Sequence, residues 1–282
     1  MKPSRSNPAG LIAAAVLFLL VLAAVFPGLV GARDPLAQSA ADRLQPPGRG
    51  HIMGTDGFGR DVASRVVHGA RVSLGIGFLG FGVASALGIL AGTFSAYRGG
   101  AFDLVFQRLI DMFLGFPFLV LALVMVVGLG PSAVSIGAAI AVALAPQVSR
   151  VARAATLQVR VEPYVEAARL CGAGTRRIVF RHLLPNTLPP IIGQISSYLG
   201  TAVAAEATLS FLGLGISPPF ASWGLMLQEG ARQYLERAPW IALFPGLALS
   251  ITVLCASVIG DSLRDSLDIR AAAAATRVTE VD

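Results

Sequence analysis

The chain has 282 residues, of which 55% are hydrophobic and only 13% are charged, and its formal net charge is +6. A soluble domain carries about 25% charged residues, so this composition excludes an ordinary soluble globular protein and favours an integral membrane protein. The basic residues lie mainly in loops between apolar segments, as membrane topology requires. We therefore expect membrane lipid, and no nucleic acid, among its partners.

Residues needed for common enzyme chemistries are scarce. The only lysine is Lys2, whereas a Walker A phosphate-binding loop needs a lysine after its glycines. Cys171 and Cys255 are predicted at different depths, which indicates no disulfide, and the three histidines show no metal-ligand spacing. We predict a non-enzymatic chain with no catalytic, cofactor-binding or metal-binding residues.

Six apolar segments predict six transmembrane helices. The first, residues 9–26, is 18 residues long, which is just enough to cross a bilayer. A cleaved signal peptide is the alternative, because residues 30–32 have the small-x-small form of a cleavage site, but the apolar segment exceeds the usual length of a signal peptide. The other segments are residues 72–96, 104–129, 132–148, 187–212 and 240–260.

A long polar connection, residues 33–71, separates the first two spans. Its Gly54-Thr55-Asp56-Gly57 cluster has the composition of a turn. From Asp61 onward the pattern predicts an amphipathic helix that lies along the outer membrane surface before the second span. The predicted apolar face consists of Val62, Val66 and Val67, and the polar face of Arg60, Ser64 and Arg65.

Two features of the spans indicate helix packing or transport. Gly88, Gly92 and Ala96 recur every four residues in the second span, and such small residues let another helix approach closely in lipid. Glu206 is the only charged residue of the fifth span. A charge at membrane depth indicates function by default. Glu206 is therefore a candidate either for lining a pathway or for holding helices together as a neutral, hydrogen-bonded acid.

The third span contains a proline and a pair of opposite charges. Pro117 predicts a kink. Arg108 and Asp111 stand three residues apart on one helix face, near the cytoplasmic boundary, and predict an ion pair there. Snorkelling of these side chains toward water is sufficient to explain their position.

The segment Glu162–Asn186 concentrates charge between two apolar runs. Pro163 suits the first turn of a helix, and good helix formers follow it. Gly172 and Gly174 then predict a tight turn. Pro185 disfavours helix at the residue before it. The sequence therefore predicts a short helix, a turn, and a basic segment that leads back into the membrane.

This segment resembles the cytoplasmic EAA loop of ATP-binding-cassette (ABC) importer permeases, in which Glu-Ala-Ala precedes a glycine and a later Leu-Pro. The matching residues are Glu166, Ala167, Ala168, Gly172, Leu184 and Pro185. Among them, Ala167, Ala168 and Gly172 leave a surface nearly free of side chains, which the backbone of another protein can approach. His182 stands where the general family prefers isoleucine, but the string from Arg181 to Asn186 is similar to that of the peptide-permease branch.

Further strings resemble the peptide and nickel branch of that family. The segment His51–Leu74 contains Gly-Thr-Asp-x-x-Gly-Arg-Asp-x-x-Ser-Arg, and residues 206–215 are similar to a recurring family string. Residues 218–224, with their Pro-Pro and Ser-Trp-Gly, match the peptide-permease signature. Residues 261–270 resemble the closing string, except that Ile269 replaces its usual proline.

The resemblance implies an all-α integral membrane protein with six transmembrane helices, in which a five-helix type I ABC importer permease (MetI-like) core follows an extra N-terminal helix. The implied regions are the cytoplasmic N-terminus and first transmembrane helix (1–30), an extracytoplasmic loop with the amphipathic helix (31–71), the core with its coupling loop at 149–186 (72–262), and a cytoplasmic tail (263–282). The implied ATPase-coupling residues are Tyr164, Glu166, Ala167, Ala168, Gly172, Arg176 and Arg177.

The same resemblance implies the permease subunit of an ATP-driven importer for dipeptides or oligopeptides. The implied partners are a second homologous permease, two ABC ATPase domains that use ATP and Mg, and an extracytoplasmic solute-binding protein. The alternatives are the same scaffold importing nickel, glutathione or another small solute and, from a different class, a non-ABC channel or structural membrane subunit.

The distribution of basic residues predicts the orientation. With both termini in the cytoplasm, 14 of the 22 Lys and Arg residues fall on the cytoplasmic side, in agreement with the positive-inside rule. The reverse orientation would place Glu162–Asn186 away from any ATPase. We therefore predict a multi-pass protein of a bacterial inner (plasma) membrane with cytoplasmic N- and C-termini.

Overall fold

A computed structural model describes residues 8–217 and 219–279, with side chains described as far as residue 267. Over these residues the chain is helical, apart from turns, loops and one isolated bridge between Thr55 and Asp61. The helices are α1 (Pro8–Val25), α2 (Val62–Arg98), α3 (Gly100–Leu114), α4 (Phe118–Leu129), α5 (Ala133–Val159), α6 (Pro163–Leu170), α7 (Thr175–Arg177), α8 (Leu184–Ile195), α9 (Tyr198–Leu209), α10 (Trp223–Glu229) and α11 (Trp240–Thr279). Short 3₁₀ turns occupy Pro27–Val30 and Ala40–Asp42, and π-helical turns occupy Ile178–Leu183, Ser210–Leu214 and Gly230–Tyr234. The predicted all-α class is confirmed.

Four of the described helices are long and apolar enough to cross a membrane, namely α1, α2, α5 and the part of α11 from Trp240 to Leu267. Helices α3 and α4 together pass the same test, but they are bent by 86°. The predicted fifth span is divided into α8 and α9, each 12 residues long. The number of complete spans therefore stays a prediction.

The predicted helix along the outer surface is wrong in two respects. Residues 62–98 form one continuous helix, so the segment after Asp61 is the first part of the helix that contains the second predicted span, and not a separate helix. Arg60, Ser64 and Arg65, which were predicted to face water, are buried. Asp61 caps the helix, since its side chain accepts a hydrogen bond from the Ser64 N–H at 2.8 Å. The periodicity identified the faces correctly, but other parts of the chain cover the polar one.

The long contact between α2 and α5 forms the centre of the fold. A Cβ at Gly88 would lie 2.7 Å from the carbonyl oxygen of Ala145, and a Cβ at Gly92 would collide with the carbonyl oxygen of Ser149. The predicted close approach along this face is confirmed. An apolar cluster joins α2 and α5 to α4 and α9, and includes Ile76, Ala122, Val126, Ile136, Ile140, Ala202 and Leu209.

The two proline predictions have different outcomes. Pro117 immediately precedes α4, where the chain turns by 86°, a far sharper bend than the predicted kink. Leu184, in contrast, keeps helical φ and ψ of −52° and −49° although Pro185 follows it, so the expected break is wrong. Pro185 directly follows the π-helical turn Ile178–Leu183, and α8 continues from that turn without a break.

The last helix extends well beyond the sixth predicted span, because α11 continues as far as Thr279. The predicted tail, residues 263–282, is thus helical over most of its length. Three features used in the sequence analysis lie outside the described residues, namely Lys2, Pro218 and the side chain of Ile269.

Candidate coupling site

The segment predicted to couple the chain to an ATPase contains α6, with Pro163 at its first position. The helix is followed by Gly172, whose φ is +75°, and a side chain added at this position would face open space. Residues other than glycine are strained at such a φ. Gly174 lies in equally open space, but its φ of −67° suits any residue. Gly172 therefore determines the turn after α6, and Gly174 does not.

One side chain anchors α6 to the rest of the chain. Val165 is fully buried. Its cluster consists of Ile178, Val179, Leu183 and Leu184, with Ile89, Tyr97, Val159 and Ala173 packed around them. The Arg169 guanidinium adds a second contact, 5.0 Å from the centre of the Tyr97 ring. Tyr97 lies in the last turn of α2, and Val159 is the last residue of α5. Helix α6 is therefore attached to both of these long helices.

The opposite side of α6 is exposed, and we call it, together with α7, the coupling surface. Its exposed residues are Tyr164, Glu166, Ala167, Leu170, Arg176 and Arg177, with Ala168 half-buried beside them. Leu170 is 84% exposed. Partial burial raises the pKa of the Tyr164 hydroxyl, and the charge of Glu162 raises it further. An exposed leucine among small residues, flanked by two guanidiniums, suits an apolar groove with an acidic rim.

Glu206 lies inside the chain rather than on its surface. It is fully buried in α9, and its Oε1 accepts a hydrogen bond from the Ser210 hydroxyl at 2.8 Å. Ser73 of α2 also lies beside it. Trp223 of α10 donates its backbone N–H to the Ser73 hydroxyl at 3.1 Å and its ring N–H to the Val66 carbonyl at 2.9 Å. Glu206 thus belongs to a buried contact of α2, α9 and α10.

The Arg108–Asp111 pair is present, with 3.9 Å between Nη1 and Oδ2, but Asp111 has a closer partner. Arg150 of α5 donates Nη2 to Asp111 Oδ1 at 2.6 Å. Eight residues earlier in α3, Asp103 accepts hydrogen bonds from Nε and Nη2 of Arg153 at 2.6–3.1 Å. These pairs join α3 to α5, and the sequence analysis missed both of them because their partners are distant along the chain.

A buried ionic network, also missed by the sequence analysis, links the connection before α2 to α10. Asp56 accepts hydrogen bonds from Arg60 Nε at 2.7 Å, from Arg65 Nη1, and from the backbone N–H groups of Phe58 and Arg60. Arg65 also pairs with Glu229 at 3.2 Å. Burial alone would raise the pKa of Asp56. The Arg65 guanidinium, the two N–H groups and Arg60 together hold this pKa below its usual value. The spacing of Asp56 and Arg60 was the available signal, whereas nothing pointed to Glu229.

Comparison with known proteins agrees with this geometry. Residues 84–272 match the family described as "Binding-protein-dependent transport system inner membrane component". The chain belongs to this family. A putative peptide transport system permease protein of Brucella suis is 44% identical to this permease over 267 residues, which cover 94% of the permease and 88% of the relative.

Two further relatives carry similar names. The dipeptide transport system permease protein DppC of Alkalihalophilus pseudofirmus is 38% identical over 267 residues, covering 95% of this permease and 88% of the relative. A probable D,D-dipeptide transport system permease protein of Escherichia coli is 37% identical over 267 residues, which cover 95% of this permease and 89% of the relative.

Solved structures support the fold. A chain of the MetNI methionine ABC transporter, in an inward-facing conformation, superposes with a TM-score of 0.59 at 19% identity, over 72% of this permease and 96% of that chain. A chain of an amino acid ABC transporter superposes with a TM-score of 0.53 at 20% identity, over 72% of this permease and 94% of that chain. The predicted type I importer permease fold is confirmed, and the chain is a membrane permease of an ABC importer.

Proposed function

We propose that this permease forms half of the translocation pathway of an importer for dipeptides or oligopeptides, and that its coupling surface docks on a separate ATPase subunit that uses ATP and Mg²⁺. The names of the relatives support the cargo class. The arrangement of α6 carries the coupling role, because one side is exposed and the other is anchored by Val165.

The attachment of α6 suggests how ATP drives the pathway. When ATP closes the two ATPase domains, the α6 helices of this permease and of a second, homologous permease move together. Val165 and Arg169 transmit that movement to the ends of α2 and α5. The driving force is the difference in ATP affinity between the two states of the assembly, since a ligand shifts an equilibrium only by that difference. A solute-binding protein delivers the cargo from the opposite side.

The proposed orientation follows the arginine-rich coupling surface. Both termini and α6 lie in the cytoplasm of a bacterium, and the connection before α2, which contains Asp56, lies outside its plasma membrane. Within this arrangement Glu206 holds α2, α9 and α10 together, because its carboxyl group is enclosed by this chain alone.

Purification of the tagged permease in a gentle detergent tests the coupling role. We expect a second permease and ATPases with Walker A sequences to co-purify. Gly172→Asp should release the ATPases and abolish peptide uptake while the permease still inserts into the membrane, and enlarging Ala167 together with Glu166 should act in the same way. Gly174→Ala is the matched control, because that position is open and has an ordinary φ. Normal uptake by the Gly172→Asp variant would contradict the assignment.

Competition for uptake tests the cargo. Unlabelled dipeptides should suppress the entry of a labelled dipeptide into cells that express the importer, whereas Ni²⁺ and glutathione should not. Suppression by Ni²⁺ or glutathione instead would assign the same scaffold to that solute.

A further inference from the structure

Two ion pairs determine how α3 runs relative to α5. Asp103 pairs with Arg153, and Asp111 pairs with Arg150, each at 2.6 Å. The two aspartates are about 12 Å apart along α3, whereas the two arginines are only about 4.5 Å apart along α5, at 1.5 Å per residue. Helix α3 therefore crosses α5 at a steep angle. The 86° bend between α3 and α4 agrees with this direction.

This crossing lies at the end of α5 that leads into α6. Arg150 and Arg153 lie in the last three turns of α5, which ends at Val159. Helix α3 starts at Gly100, directly after α2 ends at Arg98. Helix α3 therefore lies across the ends of α2 and α5, on the same side of the fold as the coupling surface.

Helix α3 has three distinct faces. Asp103 and Ile110 are buried against the rest of the chain. A second face consists of large exposed apolar side chains at intervals of three or four residues, which we call the α3 stripe: Phe102, Val105, Leu109, Met112 and Phe113. The third face carries Arg108 and Asp111, with the exposed Leu104 between them. An apolar stripe beside a charged face is typical of a helix that lies in the membrane interface.

Arg108 on this charged face and Arg150 of α5 provide the positive charge and the space to hold a phosphate. The side chains of Arg108 and Arg150 are 76% and 59% exposed. They line a cavity of about 560 Å³ together with Arg153, the carboxylates of Asp103 and Asp111, and Gln107, so that three arginines face two carboxylates. The buried Nε2 of Gln107 has no hydrogen-bond partner among the described residues. Arg98 adds a further positive charge at the start of α3, where its guanidinium lies 5.5 Å from the Phe102 ring centre. Exposed arginines beside a membrane surface attract anionic lipids.

We propose that α3 is an interfacial helix rather than the first half of a span, and that Arg108 and Arg150 bind the phosphate of an anionic phospholipid. The α3 stripe then lies among the acyl chains below that phosphate. Lipid fits this surface better than a protein partner, because the stripe and the arginines meet at the level where acyl chains give way to headgroups. The inference rests on the proposed membrane orientation, but not on the cargo or on ATPase docking.

The depth of spin labels distinguishes an interfacial helix from a half-span. The importer is placed in nanodiscs of phosphatidylcholine and phosphatidylglycerol, with Cys171→Ser and Cys255→Ala as background and single labels at positions 105, 109 and 112. All three labels should be accessible to oxygen at nearly one depth. Labels at 79, 83 and 87 on α2 serve as the reference, because depth in a spanning helix changes by about 12 Å over eight residues. A similar change along α3, or labels shielded from oxygen by a second subunit, would overturn the proposal.

Lipid retention tests the phosphate site itself. The detergent-extracted importer with both Arg108→Gln and Arg150→Gln should retain several-fold less phosphatidylglycerol than the unmodified importer. Asp111→Asn should retain more, because it removes the competing carboxylate. Arg237→Gln, at an exposed position on the opposite side, is the control and should retain as much as the unmodified protein. Unchanged retention in the double variant would overturn the proposal, while co-purification of ATPases, measured in the same samples, reports separately on coupling.

Discussion

The connection before α2 and the coupling surface both carry clustered charge, but they place it in opposite ways. Asp56 and Arg65 are buried and face each other, so the first cluster is completed within the chain. Arg176 and Arg177 are exposed, and in the proposed function another molecule covers the second cluster. Charge density in the sequence is similar in the two regions. The two clusters therefore differ in burial and not in charge density.

The largest effect is expected from breaking the buried network. Arg65→Ala would leave Glu229 and the buried Asp56 with Arg60 as their remaining cationic partner, and removal of one member of a buried pair costs up to about 3–5 kcal/mol. Thermal unfolding of the purified permease in detergent should show this loss. Arg237→Ala, at an exposed position, is the control and should change the unfolding temperature little. Equal stability of the two variants would mean that the network contributes nothing.

A smaller effect is expected at the anchor of α6. Val165→Ala would open a cavity under the helix and lower the unfolding free energy by an amount on the order of 2 kcal/mol. Leu170→Ala, on the exposed side, should leave stability unchanged and reduce only the amount of ATPase that co-purifies. The two variants thus separate the anchored side of α6 from its docking side. Loss of stability in Leu170→Ala would show that this side is also covered within the chain.

The turn after α6 should respond to backbone conformation alone. Gly172→Ala would force an alanine into a positive φ, at a cost of about 1–2 kcal/mol, and should weaken ATPase binding. Gly172→Asn should be tolerated better, since asparagine adopts this conformation more readily. Gly174→Ala should match the unmodified protein in the same binding assay, and a loss there equal to that of Gly172→Ala would contradict the explanation.

The smallest expected effect is the pH dependence of the buried network. Because the folded pKa of Asp56 lies below its usual value, its contribution is present above the unfolded pKa of about 3.9. It is lost as pH falls through the folded pKa. The difference in unfolding temperature between the unmodified protein and Asp56→Asn should therefore be constant from pH 7 to 5 and shrink below pH 4. A difference in unfolding temperature that grows as the pH falls would contradict this prediction.

Local rules account for what the sequence predicted well. The short helix after Pro163, the turn at Gly172 and the close approach at Gly88 and Gly92 depend on spacing and on backbone conformation, which neighbouring residues determine. Arg65 was placed toward water because helical periodicity identifies faces without showing what covers them. Its partner Glu229 is 164 residues away in the sequence.

Hydropathy also hid a change of direction and a break in a helix. Residues 104–129 are continuously apolar enough to suggest one span, but the chain turns by 86° before α4. Residues 187–212 also suggest one span, but two turn residues, 196 and 197, separate α8 from α9. A hydropathy average registers composition and not backbone direction, so neither break could be located in this way.

The most direct test of the coupling surface uses the exposed native Cys171, with Cys255→Ala removing the second thiol. A membrane-impermeant maleimide is applied to sealed vesicles of each orientation, with the permease alone and in the assembled importer. We predict that Cys171 reacts only when the cytoplasmic side faces outward, and that bound ATPases slow this reaction several-fold. Reaction from the opposite side, or an equal rate with and without ATPases, would contradict the assignment of α6 as the coupling helix.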